Sequence, residues 1–93
     1  MTGPTTTFKA KVEVFLKPGV LDVEGKAIEG ALHGLGFPAV AGVRVGKTIA
    51  FDVAGETAAA AETEVRAMCE RLLANTVIEG YRVAIMDGEF EGA

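Results

Sequence analysis

The residues most suggestive of chemistry are Gly46, Lys47 and Thr48. Residues 41–48 fit a relaxed phosphate-loop pattern, in which a glycine-rich turn leads into a helix whose first amides hold a phosphate. The middle of this segment, Val43-Arg44-Val45, favours extended backbone, and Thr48 begins a run that alternates like a strand. The sequence therefore predicts a hairpin turn at Gly46-Lys47, and no nucleotide site.

The other reactive side chains do not form a catalytic group. Cys69 falls on the apolar stripe of a predicted helix, where a cysteine acts as a small hydrophobe. His33 lies near the end of another predicted helix, where a cation suits the helix dipole. With 1 Cys and 1 His, neither a disulfide nor a His/Cys metal cage can form within the chain. We predict no catalytic residue, no cofactor site and no metal site.

The length and charge of the chain limit the classes of protein it can belong to. The 93 residues suffice for one domain, residues 1–93, with a radius of gyration of roughly 12 Å and frayed ends at 1–7 and 87–93. A net charge of −4 argues against a nucleic-acid-binding domain. The chain lacks an apolar run long enough to span a membrane, and its first residues lack the pattern of a signal peptide. We therefore expect a cytoplasmic protein.

Hydrophobic periodicity predicts six elements in the order β-α-β-β-α-β. Strands are expected at residues 8–17, 43–45, 48–53 and 81–86, where apolar and polar residues alternate. One helix begins after Asp22 and ends near residue 34, and a second begins after Thr57 and ends near Asn75. This order predicts an α+β, ferredoxin-like fold, a four-stranded antiparallel sheet with both helices on one face.

The outer face of the predicted sheet is the most informative surface. This face is either an ordinary solvated surface or a docking face. Five of the nine basic residues lie on it with two acidic ones: Lys9, Lys11, Lys17, Arg44, Arg82, Glu13 and Asp52. The mean hydropathy of +0.32 is high for a chain this short. Apolar surface beyond the needs of one core predicts a homo-oligomer, a dimer or a dimer of dimers.

Four phrases of the sequence resemble the PurS family, the small subunit of phosphoribosylformylglycinamidine synthase. The resemblance covers roughly residues 8–86, and its most specific part follows Cys69. The four phrases are Lys17-Pro18-Gly19-Val20-Leu21-Asp22-x-x-Gly25, Ala31-Leu32-x-x-Leu35-Gly36-Phe37, Val43-Arg44-Val45-Gly46-Lys47 and Met68-Cys69-x-x-Leu72-Leu73-Ala74-Asn75-x-Val77-Ile78-Glu79-x-Tyr81.

The resemblance implies a subunit of an ATP-dependent ligase complex of the glutamine amidotransferase type. That complex converts formylglycinamide ribonucleotide, glutamine and ATP to formylglycinamidine ribonucleotide, glutamate, ADP and phosphate in purine biosynthesis. A glutaminase subunit releases ammonia, and a large synthetase subunit holds ATP and Mg²⁺. The PurS-like chain joins the two and assists ammonia transfer, without catalytic residues of its own. An ACT-like regulatory domain that binds small molecules, with Gly19 near its site, is the main alternative, and a purely structural oligomer is another.

The residues we expect at the contacts with partners combine charge with apolar bulk. Arg44 and Lys47 are placed on the predicted hairpin, and the segment after the second helix offers bulk and a polar group. Tyr and Arg are enriched among the residues that dominate binding energy at interfaces. Val77 and Ile78 have a second interpretation, in which they close the core beneath the second helix. The predicted contact residues are Arg44, Lys47, Asn75, Val77, Ile78 and Tyr81.

Overall fold

Three strands and two helices make up residues 6–86, the part of the chain that this computed structural model describes. The elements in chain order are β1 (Thr6–Leu16), α1 (Val23–Gly34), β2 (Gly46–Gly55), α2 (Ala58–Met68), a π-helical turn (Cys69–Leu73) and β3 (Glu79–Met86). The strands form one antiparallel sheet in the order β2-β1-β3. The α+β class is therefore confirmed.

The core lies between β1 and α2. Alternation along β1 sends every second side chain to the inner face of the sheet, and α2 covers that face. The buried apolar residues are Phe8, Ala10, Val12 and Val14 of β1, Ala61 and Val65 of α2, Cys69 of the π-helical turn, and Ala74. The burial of Cys69 confirms its interpretation as a core residue.

Local signals set both ends of α2. The Thr57 hydroxyl accepts a hydrogen bond from the Ala60 amide at 3.0 Å, which caps the first turn. Gly55 lets the helix approach the sheet, because a Cβ there would lie 3.3 Å from Cβ of Ala61. At the other end the Ala74 amide donates to the Cys69 carbonyl at 3.1 Å, the five-residue spacing of a π turn.

The predicted four-stranded sheet is wrong, because the predicted hairpin does not form. Gly46–Gly55 is one continuous strand, and residues 41–45 belong to no strand. The Val43 amide donates to the Glu29 carboxylate at 3.2 Å, and the Val45 amide donates to the Asp22 carboxylate at 2.7 Å. Carboxylates on α1 and next to it thus accept hydrogen bonds from the amides of Val43 and Val45, which a neighbouring strand would otherwise have paired.

The prediction that both helices cover one face of the sheet is also wrong. Helix α1 has the predicted bounds and the predicted Asp22 cap, but Gly25 is its only buried residue. Helix α1 and the return segment 35–45 form a projection that we call the arm. With the arm extended, the radius of gyration is 17.2 Å and the overall dimensions are 61 × 30 × 14 Å, far from the compact globule of roughly 12 Å that the length predicts.

The predicted frayed ends lie mostly outside the described residues, which exclude 1–5 and 87–93. Thr6 and Thr7 are an exception, since they pair with Gly55 and Ala54 in the sheet. Within residues 6–86, neither helix has the length and apolar character needed to cross a membrane.

Candidate functional site

The six predicted contact residues gather at one end of the sheet, and we call this group the contact surface: Arg44, Lys47, Asn75, Val77, Ile78 and Tyr81. Lys47 and Tyr81 stand in register with Val14 on either side of β1, so their backbones are about 10 Å apart. The other members surround Lys17, which follows β1. Its amide donates to the Ile78 carbonyl at 2.9 Å, and its carbonyl accepts from the Arg44 guanidinium at 3.3 Å.

The loop before β3 is shaped so that Val77 points outward. The Asn75 side-chain oxygen accepts from the Val77 amide at 3.3 Å, while the Asn75 amide donates to the Glu79 carboxylate at 2.7 Å. Lys17 Nζ adds a bond of 2.6 Å to the Thr76 carbonyl. Val77 is 82% exposed and Ile78 is 40% exposed. Both side chains are therefore exposed, and the interpretation in which Val77 and Ile78 close the core is wrong.

Tyr81 joins β3 to the π-helical turn. Its hydroxyl donates to the Glu70 carboxylate at 2.7 Å. This bond, with a smaller contribution from burial, raises the pKa of Tyr81, because a phenolate would face a carboxylate. Its polar group is thus held within the chain, and its half-buried ring remains at the contact surface.

The two cations of the contact surface differ in their surroundings. Arg44 donates to the carbonyls of Val20, Leu16 and Lys17 at 3.3–3.4 Å, so it also holds the last residues of the arm to the end of β1. Lys47 is exposed on β2, and its side-chain ammonium has no hydrogen-bond or ion-pair partner within residues 6–86. Lys47 is therefore the residue whose charge can be changed without breaking an internal bond.

Asp22, which the sequence marks only as a helix cap, has a larger role at the base of the arm. It is 5% exposed, and its two oxygens accept from the amides of Gly25 and Val45, each at 2.7 Å. The bond from Val45 and then the bond from Gly25 lower the pKa of the Asp22 carboxyl, with a small contribution from the Arg44 charge. Gly25 has no room for a side chain, because a Cβ there would overlap the Val43 carbonyl.

Further contacts hold the two halves of the arm together. The Val43 amide bonds Glu29 at 3.2 Å and lowers the pKa of that carboxyl. His33 Nε2 lies 2.6 Å from the Val40 carbonyl, and the Phe37 amide donates to the Leu32 carbonyl at 3.0 Å. His33 therefore ties the end of α1 to the return segment.

The outer face of the sheet carries three of the five predicted cations. Lys9 forms an ion pair with Asp52 at 2.6 Å, and the Arg82 guanidinium lies 5.2 Å from the centre of the Phe15 ring. Lys11 and Glu13 share this face through their register in β1. Lys17 lies beyond the end of β1, and Arg44 lies outside the sheet because the predicted hairpin does not form.

The candidate phosphate loop lies in a strand. Gly46, Lys47 and Thr48 open β2 and pair with Phe15, Val14 and Glu13 of β1. The hairpin turn predicted at Gly46-Lys47 is therefore wrong, but the strand expected from Thr48 onward is confirmed. Among residues 6–86, no three metal-ligating side chains come close enough together to hold an ion.

Comparisons with known proteins agree with one another. The PurS family model, described as phosphoribosylformylglycinamidine (FGAM) synthase, matches residues 9–87. The PurS subunit of FGAM synthase from Bacillus subtilis is 42% identical over 78 residues, which cover 84% of this chain and 92% of that subunit. The crystal structure of PurS from Methanocaldococcus jannaschii has a TM-score of 0.80 and 40% identity, covering 88% of this chain and 99% of that chain. A chain in the structure of PurLQS from Thermotoga maritima has a TM-score of 0.80 and 33% identity, with coverage of 87% and 99%.

The chain belongs to the PurS family. It is a subunit of FGAM synthase, a ligase complex of purine biosynthesis. The ACT-like alternative depended on the order β-α-β-β-α-β, which the three-stranded sheet does not have.

The pKa of Asp22 makes a prediction about stability and pH. Because folding lowers this pKa below its ordinary value of 3.8, the ionised carboxylate stabilises the fold above that pH, and the stabilisation is lost as the pH falls through the folded pKa. We expect the difference in free energy of unfolding between wild type and D22N to be constant above about pH 5 and to shrink in more acidic solution. Urea titrations at one protein concentration measure it, and a difference that stays constant down to about pH 2.5 would contradict the assignment.

Proposed function

We propose that this chain is the noncatalytic adaptor of FGAM synthase, joining the glutaminase subunit to the large synthetase subunit and assisting ammonia transfer between them. ATP and Mg²⁺ are bound by the large subunit in this proposal, and the complex acts in the cytoplasm. The observation that carries the proposal is the amount of apolar and charged surface that one small chain presents. Both the contact surface and the arm expose large apolar side chains, which are Val23, Ile28, Leu35, Phe37, Val77 and Ile78.

An adaptor fits the physical needs of ammonia transfer. Ammonia is small and neutral, and it loses its nucleophilic lone pair when water protonates it. A joint between subunits that excludes water keeps ammonia unprotonated along its path. Such a joint requires complementary surfaces and no reacting group of its own.

We further propose that the adaptor acts as a homo-oligomer in which a second copy covers the arm. The apolar stripe of α1 is open to solvent, with Ile28 40% and Leu35 74% exposed. On the inner face of the sheet, the β2 side chains of Ile49, Phe51 and Val53 are only half-buried beside α2. Since the arm points away from its own sheet, these two apolar surfaces cannot meet within one chain. Two copies related by a two-fold axis can each lay α1 on the β2 side of the other.

The adaptor role predicts the effect of charge reversal at Lys47. We expect K47E to lower glutamine-dependent turnover and assembly together by about tenfold or more, because a carboxylate would replace an ammonium at the contact surface. Turnover with ammonia supplied directly should not change. Co-purification and steady-state assays of the reconstituted complex measure these quantities.

The control for K47E is K11E, the same charge change on the outer face of the sheet, at a lysine that has a contact of its own. If K11E impairs assembly and K47E does not, the interface lies on the other face. If glutamine-dependent turnover proceeds at the full rate without this chain, the adaptor role itself is wrong.

The homo-oligomer predicts the effect of a charge on the stripe of α1. We expect I28E to raise the dissociation constant of the oligomer by about tenfold or more, since burying an isoleucine contributes about 1.5–3 kcal/mol. Light scattering across a dilution series measures it. The chain should stay folded, because Gly25 is the only buried residue of α1.

Gly30 provides the control, because it is on the opposite side of α1 and a Cβ there meets no atom within 4 Å. G30E should therefore associate like wild type. A wild-type chain that is monomeric at micromolar concentration would contradict the oligomer.

A further inference from the structure

Asp22 joins the first and last residues of the arm, which lie side by side at its base. Its Oδ1 accepts from the Gly25 amide in the first turn of α1, and its Oδ2 accepts from the Val45 amide in the last residue before β2. Both bonds measure 2.7 Å, and the carboxylate is buried. One side chain therefore fixes the point where the chain leaves β1 relative to the point where it enters β2.

The arm can change direction only as a unit. The Val43 amide donates to the Glu29 carboxylate, His33 is hydrogen-bonded to the Val40 carbonyl, and the Phe37 amide donates to the Leu32 carbonyl. These bonds join α1 to the return segment along its length. The direction of the arm relative to the sheet is therefore set at the base of the arm, where the Asp22 bridge and the Arg44 bonds to the end of β1 lie.

A small rotation at this base has a large effect at the far end of the arm. Helix α1 has 12 residues and is about 18 Å long, so a rotation of about 10° moves its end by about 3 Å. Leu35 and Phe37 lie at that end and are 74% and 55% exposed. A shift of this size is comparable to the radius of a side chain, and packed interfaces do not absorb it without rearranging.

We propose that Asp22 is a positioning residue of the synthase: by bridging Gly25 and Val45 it fixes the direction of the arm, and the arm in turn fixes how two copies place their contact surfaces for the catalytic subunits. This proposal rests on the adaptor function and on the homo-oligomer proposed above. It gives Asp22 a role beyond capping α1, because the bond to Val45 contributes nothing to the cap.

The variant D22S separates the two roles. A serine hydroxyl caps a helix about as well as a carboxylate, so the Gly25 bond can be retained. Serine has one oxygen, so no second acceptor remains for the Val45 amide. We expect D22S to keep its helix content and its oligomeric mass, to lose hydrogen-exchange protection at Val45, and to lower glutamine-dependent turnover of the reconstituted synthase by about tenfold. Turnover with added ammonia should not change.

A second variant keeps the proposal testable if D22S does not fold. D22N preserves the shape of the side chain and replaces one acceptor oxygen with a donor, so one of the two bonds must be lost. E24Q, which neutralises an exposed carboxylate in the first turn of α1, is the control and should behave like wild type.

The outcomes distinguish this proposal from the function on which it rests. Wild-type glutamine-dependent turnover in both D22S and D22N would overturn the positioning role while leaving the adaptor role intact. Equal losses of glutamine-dependent and ammonia-dependent turnover would also overturn it, because the defect would then not be one of placement between subunits. Full glutamine-dependent turnover without any copy of this chain would instead contradict the adaptor function.

Discussion

The extended form of this molecule depends on the two hydrogen bonds that the Asp22 carboxylate accepts. The carboxylate accepts amides from residues 3 and 23 positions further along the chain, so it joins a local helix cap to a long-range contact. Arg44 strengthens the same junction through carbonyls at the end of β1. Because this junction holds α1 away from the sheet, the chain has an extended form and an uncovered apolar stripe. A buried carboxylate with two good hydrogen bonds can sustain such an arrangement, since its charge is compensated where it lies.

The elements that local signals specify could be predicted from the sequence. The alternation of β1, the Asp22 and Thr57 caps and the burial of Cys69 each depend on residues close together in the chain, and each is confirmed. The apolar stripe predicted for the second helix is confirmed at Ala61 and Val65, but Leu72 of the same stripe is 82% exposed. The hairpin was wrong because Val43 and Val45 carry a strand-like pattern whose amides are taken by carboxylates 14 and 23 residues away. The stripe of α1 predicts that one face of the helix must be covered, but periodicity does not specify which surface covers it.

The positions of the predicted contact residues could be predicted only in part, for a similar reason. Sequence reasoning selected Arg44 and Lys47 as exposed charges on a hairpin, and the structure keeps them at one end of the sheet in different roles. Asp22, Gly25 and Arg44 lie within the phrases that resemble the PurS family, but the sequence alone does not show what these residues do. Their shared place at the base of the arm supplies that reason, because the carboxylate needs both amides, Gly25 allows the close approach of Val43, and Arg44 holds the base to β1.

In the homo-oligomer that we propose, α1 packs against a neighbouring copy and not against its own sheet. An oligomer assembled from isotope-labelled and unlabelled chains allows contacts between chains to be separated from contacts within a chain by filtered nuclear Overhauser spectra. We expect the methyl groups of Ile28 and Leu32 to show cross-peaks to Ile49 and Phe51 in the spectrum selected for contacts between chains. Cross-peaks between these residues that arise only within one chain would show that α1 folds back on its own sheet, and would contradict the account.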